Sequence, residues 1–176
     1  PVHKTAKKKS AAHNTCWKNF SRYIRLRDAI NTTGTMTHAR CITCGALHEI
    51  EDMDAGHMIP RRTNGILFDE SMVFAQCYSC NREHGGEEQA FKRIMIERKG
   101  EAWYALKVQA RSTPVKLTDD VLRLMNTEWL AKIKRRKAQF EESDKRPLDK
   151  CITFWHTVFV TLAVWRGNKS GSRYPG

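Results

Sequence analysis

The sequence predicts an α+β fold in which a small zinc-bound core is flanked by helices on its N- and C-terminal sides. Two C-x-x-C pairs, Cys41–Cys44 and Cys77–Cys80, bracket a stretch rich in turn signals and short on helical periodicity. Helical apolar spacing lies on both sides of that stretch. The 176 residues give room for one domain, or one small domain with helical additions.

Taken in order, residues 1–13 carry Lys4, Lys7, Lys8 and Lys9 without apolar periodicity. They are expected to be a flexible basic arm, either touching phosphates or simply solvated. From Asn14, the residues Trp17, Phe20, Tyr23, Ile24 and Ile30 recur near helical spacing, with Leu26 just outside the stripe. Asn14 or Thr15 is the expected cap, and Arg22, Arg25 and Arg27 decorate the helix. Asn31 to Ala39, Thr-rich and containing Gly34, reads as a loop. The metal-centred core then runs from Arg40 to about Glu87.

Beyond Gly85-Gly86 the pattern turns helical. Phe91, Ile94 and Met95 form a stripe that stops near Gly100, and Trp103, Leu106 and Ala110 form another that Pro114 ends. A third helix opens at Thr118, whose hydroxyl can cap it while Leu117 packs on Leu122. Asp119 and Asp120 suit its first turn; Lys132, Lys134, Arg135, Arg136 and Lys137 suit its far end. That basic run reads either as a phosphate contact or as a solvated face. The division is a basic arm at 1–13, the core with flanking helices at 14–112, a helical extension at 113–145 and a C-terminal segment at 146–176. Within the last, Cys151 to Trp165 is dense in β-branched and aromatic residues and predicts a strand or hairpin. It is too short to span a membrane as a helix. The following tail reads as disordered, and no function attaches to this end.

Lys and Arg number 31 against 19 Asp and Glu, a formal charge of +12. Such a balance favours a polyanionic partner, nucleic acid first, because protein cations replace the counterions condensed on phosphate. Charge alone does not exclude a merely soluble basic protein. A hydrophobic content of 40% argues against disorder throughout. With no secretory apolar region before the cysteines, the expected location is the cytoplasm, and the C-x-x-C pairs read as metal ligands rather than disulfides. Cys16 and Cys151 read as ordinary thiols.

Two such knuckles close a tetrahedral zinc site made of Cys41, Cys44, Cys77 and Cys80, leaving no position for a catalytic water. Gly45 supplies the tight turn after the first. The zinc is therefore expected to be structural, tying a hairpin to the start of a helix where a small core would not hold by itself.

Between the knuckles lies Asp54-Ala-Gly-His57-Met-Ile-Pro60-Arg61-Arg62, and Asn81 follows the second directly. Here the sequence resembles the His-Me finger (HNH-like) nucleases, built on a β-hairpin and helix around a metal. More closely, it resembles the phage lambda NinG (Rap) recombination nuclease family. The matching residues are Cys41-x-x-Cys44-Gly45, Asp54-Ala-Gly-His57, Leu67-Phe68-Asp69-Glu70, Gln76-Cys77-x-x-Cys80-Asn81 and Gly85, with Glu101 after the helix that ends near Gly100. Similarity spans roughly residues 17–140.

The resemblance implies a ββα-metal core that cleaves branched DNA, such as Holliday junctions and D-loops, with one catalytic Mg²⁺ or Mn²⁺; the expected DNA partner is branched or single-stranded. In that reading His57 takes the proton from water, and Asn81, Asp54 and His84 serve the metal side. Arg61, Arg62 and Arg82 contact phosphates. Plainer readings stand beside these: His57 as a hairpin cap, Asn81 as a helix cap, the arginines as a solvated face. Two positions depart from the pattern. Gly56 stands where many such enzymes carry an acid directly before the histidine, and Met72 where the family tends to carry an Asn that braces the hairpin loop. Asp54 can replace the missing acid only if the Ala55-Gly56 step bulges, since residues three apart on a regular strand face opposite ways. Paired symmetric cuts across a junction would call for a homodimer. The competing functions are a non-catalytic zinc-containing recombination adaptor and an RNA-associated zinc ribbon.

Overall fold

The computed structural model describes residues 9–60 and 63–145. They form four helices and two small antiparallel hairpins: α1 (Ala11–Thr33), β1 (His38–Arg40), β2 (Leu47–Glu49), β3 (Met53–His57), β4 (Val73–Cys77), α2 (Glu88–Lys99), α3 (Glu101–Arg111) and α4 (Asp119–Asp144). A 3-10 turn, Ile50–Asp52, links β2 to β3, and a π-helical turn, Ser79–Glu83, follows β4. β1 pairs with β2 and β3 with β4, so the α+β class holds with two-stranded sheets. The chain divides into two compact units, residues 1–138 and 139–176. All the residues of the candidate site lie in the first.

α1 begins at Ala11, not at Asn14. Ser10 is the cap, its hydroxyl accepting from the His13 N–H at 3.2 Å and donating to Asp119 at 2.7 Å. The expected arm therefore gives up its last three residues to the helix; residues 1–8 lie outside the described residues. Cys16, Phe20, Tyr23 and Ile24 bury against Phe68, Leu122, Trp129 and Ile133, and Leu26 is buried as well. Burying a side chain such as Phe20 or Ile24 fully is worth about 1.5–3 kcal/mol, so this face holds the helix in place.

Of the three arginines expected to decorate α1, Arg22 is exposed as expected, but Arg25 and Arg27 are not decoration. Arg27 is 9% exposed, with Nε on Asp28 at 2.8 Å, Nη1 on the Glu70 carbonyl at 2.6 Å and Nη2 on the Val73 carbonyl at 2.8 Å. Asp28 in turn accepts from the Ala75 N–H at 2.6 Å. A buried ion pair thus satisfies β4 on the edge away from β3, where unpaired backbone groups would otherwise be buried. Arg25 donates to the Ile50 carbonyl and holds the 3-10 turn. Helical periodicity marks which face a residue occupies but not whether its charge will be consumed by backbone carbonyls.

α2 carries Phe91 and Met95 inward and ends at Gly100 as expected. On α3, Trp103 and Ala110 pack as expected, but Leu106 is 65% exposed and Tyr104 and Val108 take its place. α4 opens after Thr118, whose hydroxyl accepts from Val121, and Leu117 joins Leu122 in one cluster. It continues to Asp144, which leaves the basic run within the helix and no base in its last turn. Among the described residues no helix is long and apolar enough to cross a membrane. The strand or hairpin expected at Cys151–Trp165 and the tail lie outside the described residues.

Candidate functional site

The β3–β4 register is continuous: Met53 opposes Cys77, Asp54 Gln76, Ala55 Ala75, Gly56 Phe74 and His57 Val73. No residue is inserted, so the bulge that would bring Asp54 round to His57 is absent, and the two point to opposite faces.

At the Met53–Cys77 end stand the four cysteines. Their sulfur atoms all lie within 4.8 Å of one another, and Cys44 Sγ is 3.9 Å from Cys77 Sγ. Tetrahedral coordination with bonds of about 2.3 Å requires sulfurs about 3.8 Å apart, so the donor set and spacing can hold a metal such as zinc. The first knuckle closes through Gly45, at φ 74°, whose N–H donates to the Cys41 carbonyl at 2.9 Å. Burial opposes ionisation of Cys41. The N–H groups of Cys44, Cys77 and Thr43, with the Thr43 hydroxyl, outweigh it and bring that thiol down to about 6. Burial pushes Cys80 up to about 12, with the neighbouring Cys77 and Cys41 adding to it. A cation shared by all four is what lets such thiols ionise together.

At the other end is a cavity of about 340 Å³ lined by His57, Asn81 and Glu88 together with Met58, Pro60 and Gly86. His57 and Asn81, 24 positions apart, thus face one space. His57 Nε2 is 3.0 Å from the Leu67 carbonyl oxygen. A carbonyl only accepts, so Nε2 carries the proton and the lone pair of the neutral ring lies on Nδ1. The ring also stacks on Trp17 of α1, centroids 5.5 Å apart and planes 17° from parallel.

Asn81 sits in the π-helical turn, a geometry that recurs at functional positions. Its Nδ2 donates to Asp54 Oδ2 at 2.9 Å. A carboxylate accepts only, so the amide is oriented and Oδ1 is the end turned from Asp54. Asp54 is also clamped by Arg82, Nε to Oδ2 and Nη2 to Oδ1, both at 2.7 Å. That pair, against the effect of burial and with Asn81 assisting, holds the Asp54 carboxyl below the usual carboxylate range. Asp54 therefore positions Asn81 rather than His57, and the Arg82 fork is turned to a carboxylate.

His84 follows a π-turn, whose longer repeat takes it out of the cavity lining; its Nδ1 meets Glu87 at 3.1 Å. Arg61 and Arg62 lie outside the described residues. Gly56, where an acid was expected, has no room for a side chain. A Cβ there would fall 2.2 Å from Gln76 Oε1 and 3.0 Å from Gln76 Cβ. Gln76 is fully buried, with Nε2 on the Gly86 carbonyl at 2.8 Å and Thr43 Oγ1 at 3.2 Å; Oε1 has no hydrogen-bond partner among the described residues. At Met72 the backbone braces the loop: its carbonyl accepts from Met58 at 3.0 Å and its N–H donates to the Asp69 carbonyl at 3.0 Å. The side chain fills the core with Met58, Ile66 and Phe91. Asp69 adds bonds to the Ser71 N–H and hydroxyl within the same loop.

Trp17, Gln76 and Glu88 were not singled out as site residues. Trp17 reads as one more apolar position on a helix, and Glu88 as an ordinary first-turn acid. Leu67 and Gln76 do fall inside matching motifs, and that is the signal that marks them.

A family model described as Bacteriophage Lambda NinG protein matches residues 2–140. The chain belongs to the NinG family. The match takes in α1, both knuckles, the His57–Asn81 cavity and α2 to most of α4, while the C-terminal segment lies beyond it. No curated protein and no solved structure matches this NinG-family chain.

Proposed function

We propose that this NinG-family protein is a metal-dependent, structure-selective DNA endonuclease of the His-Me finger (HNH-like) type, acting on branched recombination intermediates such as Holliday junctions and D-loops. The observation that carries the reading is the shared cavity of His57 and Asn81, with His57 held by the Leu67 carbonyl. His57 Nδ1 takes a proton from water as the water oxygen attacks phosphorus and the bond to the 3′ oxygen breaks. The Leu67 bond and the Trp17 stack hold the ring in one orientation, so the base is aligned in advance. The Asp54–Arg82 clamp keeps the Asn81 amide oxygen aimed. That oxygen and the Glu88 carboxylate are hard donors, which suit Mg²⁺ or Mn²⁺ rather than zinc. Such a cation, when bound, supplies neutralising charge for the leaving oxygen.

The test is cleavage of linear, forked and four-way DNAs by wild type and His57→Ala with Mg²⁺ or Mn²⁺. Wild type is expected to nick branched DNA, and the variant to lose about 10²–10⁴-fold in rate while binding is kept. Tight binding without cutting by wild type would favour the adaptor, and equal cutting by the variant would remove His57 from its role.

A further inference from the structure

A second cavity, of about 860 Å³, opens where the loop after Pro60 meets the end of α3, and among the described residues its lining includes Arg111 and Lys116 but no carboxylate. This sets it apart from the His57 cavity, which includes Glu88, and from a third, where Arg40 and Arg98 are joined by Asp28. Neither Arg111 nor Lys116 is ion-paired to a described carboxylate.

The walls are built. Thr63 Oγ1 donates to the Arg111 carbonyl at 2.5 Å and Asn64 Nδ2 to the Val115 carbonyl at 3.0 Å. Gly65 closes the contact: a Cβ there would lie 2.8 Å from the Ala110 carbonyl oxygen and 2.9 Å from that of Thr113. A helix C-terminus ordinarily repels anions. Here its last carbonyls are occupied, Gln109 by the Ser112 N–H, Ala110 by the Thr113 N–H and Arg111 by Thr63. The two cations therefore dominate the cleft.

From these observations we infer that the cleft is a second binding site, for the sugar–phosphate backbone of the DNA strand that passes His57. The inference rests on the nuclease reading for the identity of the polyanion and for the path of the strand past His57. Pro60 lines the first cavity and Thr63 the second. Three residues of chain reach at most about 11 Å, roughly three nucleotide steps at about 3.4 Å each. Backbone phosphates a few nucleotides from the cut are thus within the span of Arg111 and Lys116.

The experiment measures binding of the full chain to a four-way DNA junction across a salt series, without added Mg²⁺ or Mn²⁺, so that cutting plays no part. Arg111→Gln with Lys116→Gln is compared with wild type, and thermal melting is recorded for both. With melting unchanged, the slope of log affinity against log salt is expected to fall by about 2. An unchanged slope and affinity in a folded variant overturns the site. A fall seen with RNA but not with DNA overturns the choice of ligand. A cleft confirmed in a protein that never cuts would sink the nuclease reading alone.

Discussion

The two ends of the β3–β4 hairpin are held in opposite ways. At Met53–Cys77 four sulfurs converge within 4.8 Å of one another, and one metal ion can fix the whole end. At His57–Val73 the structure is held by many weak contacts: the Leu67 carbonyl on His57, the Met58–Met72 backbone bond, and two lysines on the loop between the strands. Lys107 of α3 reaches Asp69 at 2.7 Å, and Lys132 of α4 reaches Glu70 at 2.9 Å. A metal knuckle is cooperative and fails all at once, whereas a hydrogen-bonded loop loosens by degrees. A rigid end therefore anchors Asn81, directly after a cysteine, while the His57 end keeps some freedom, which the proposed nuclease activity would use.

The largest expected effect follows from removing the metal anchor. Cys44 is the exposed member of the four, so Cys44→Ser deletes a ligand without carving a hole in the core. Structural zinc binding contributes on the order of 10 kcal/mol in small domains, comparable with the whole stability of one. Cooperative thermal unfolding should vanish in the variant, and equally when the wild type is stripped of metal by a chelator. A sharp melt retained by metal-free protein would remove zinc from its structural role.

A middle-sized effect lies where the two ends are joined. Gln76 bonds Thr43 within the first knuckle and Gly86 on the cavity wall, and it crosses over Gly56, the residue before His57. Gly56→Ala drives a methyl into Gln76 and should cost about 1–3 kcal/mol by overpacking. Gln76→Ala should cost a similar amount through lost hydrogen bonds and a cavity. Because the second change removes what the first collides with, the double variant should be less destabilised than the sum by about 1 kcal/mol or more. Additive losses in urea unfolding would mean that Gln76 and Gly56 are not in contact, and that the two ends are independent.

The same contrast explains what the sequence could disclose. The metal end was legible because four cysteines at fixed spacing have few other uses, and Gly45 has the positive φ that the turn requires. The opening of α4 was legible too, since Thr118 caps locally and Leu117 packs nearby. What escaped were contacts between distant segments. Trp17 lies against His57 only because α1 packs across the hairpin, and Arg27 meets Val73 for the same reason. Asp54 was placed beside the histidine by motif, and the unbroken register sends it to Asn81 and Arg82 instead. Spacing along the chain carries ligand geometry well, but it says nothing of which tertiary neighbour will consume a charge.

The smallest expected effect is at the loop end. Burial raises the Glu70 pKa, but the Lys132 ammonium and the Tyr23 hydroxyl more than offset it and hold the carboxyl below its usual range. With Lys132 20% and Glu70 39% exposed, water screens the pair, and its loss should cost no more than about 1 kcal/mol. Lys132 also lies 4.5 Å from the Trp129 ring centroid, so Lys132→Met, which keeps the apolar stem over that ring, isolates the charge. Global stability should then barely move, while amide exchange quickens between Leu67 and Met72 and not around Cys41 or Cys77. Faster exchange at both ends together would show that loop and knuckles open as one unit, and the contrast between a metal-fixed end and a yielding one would fail.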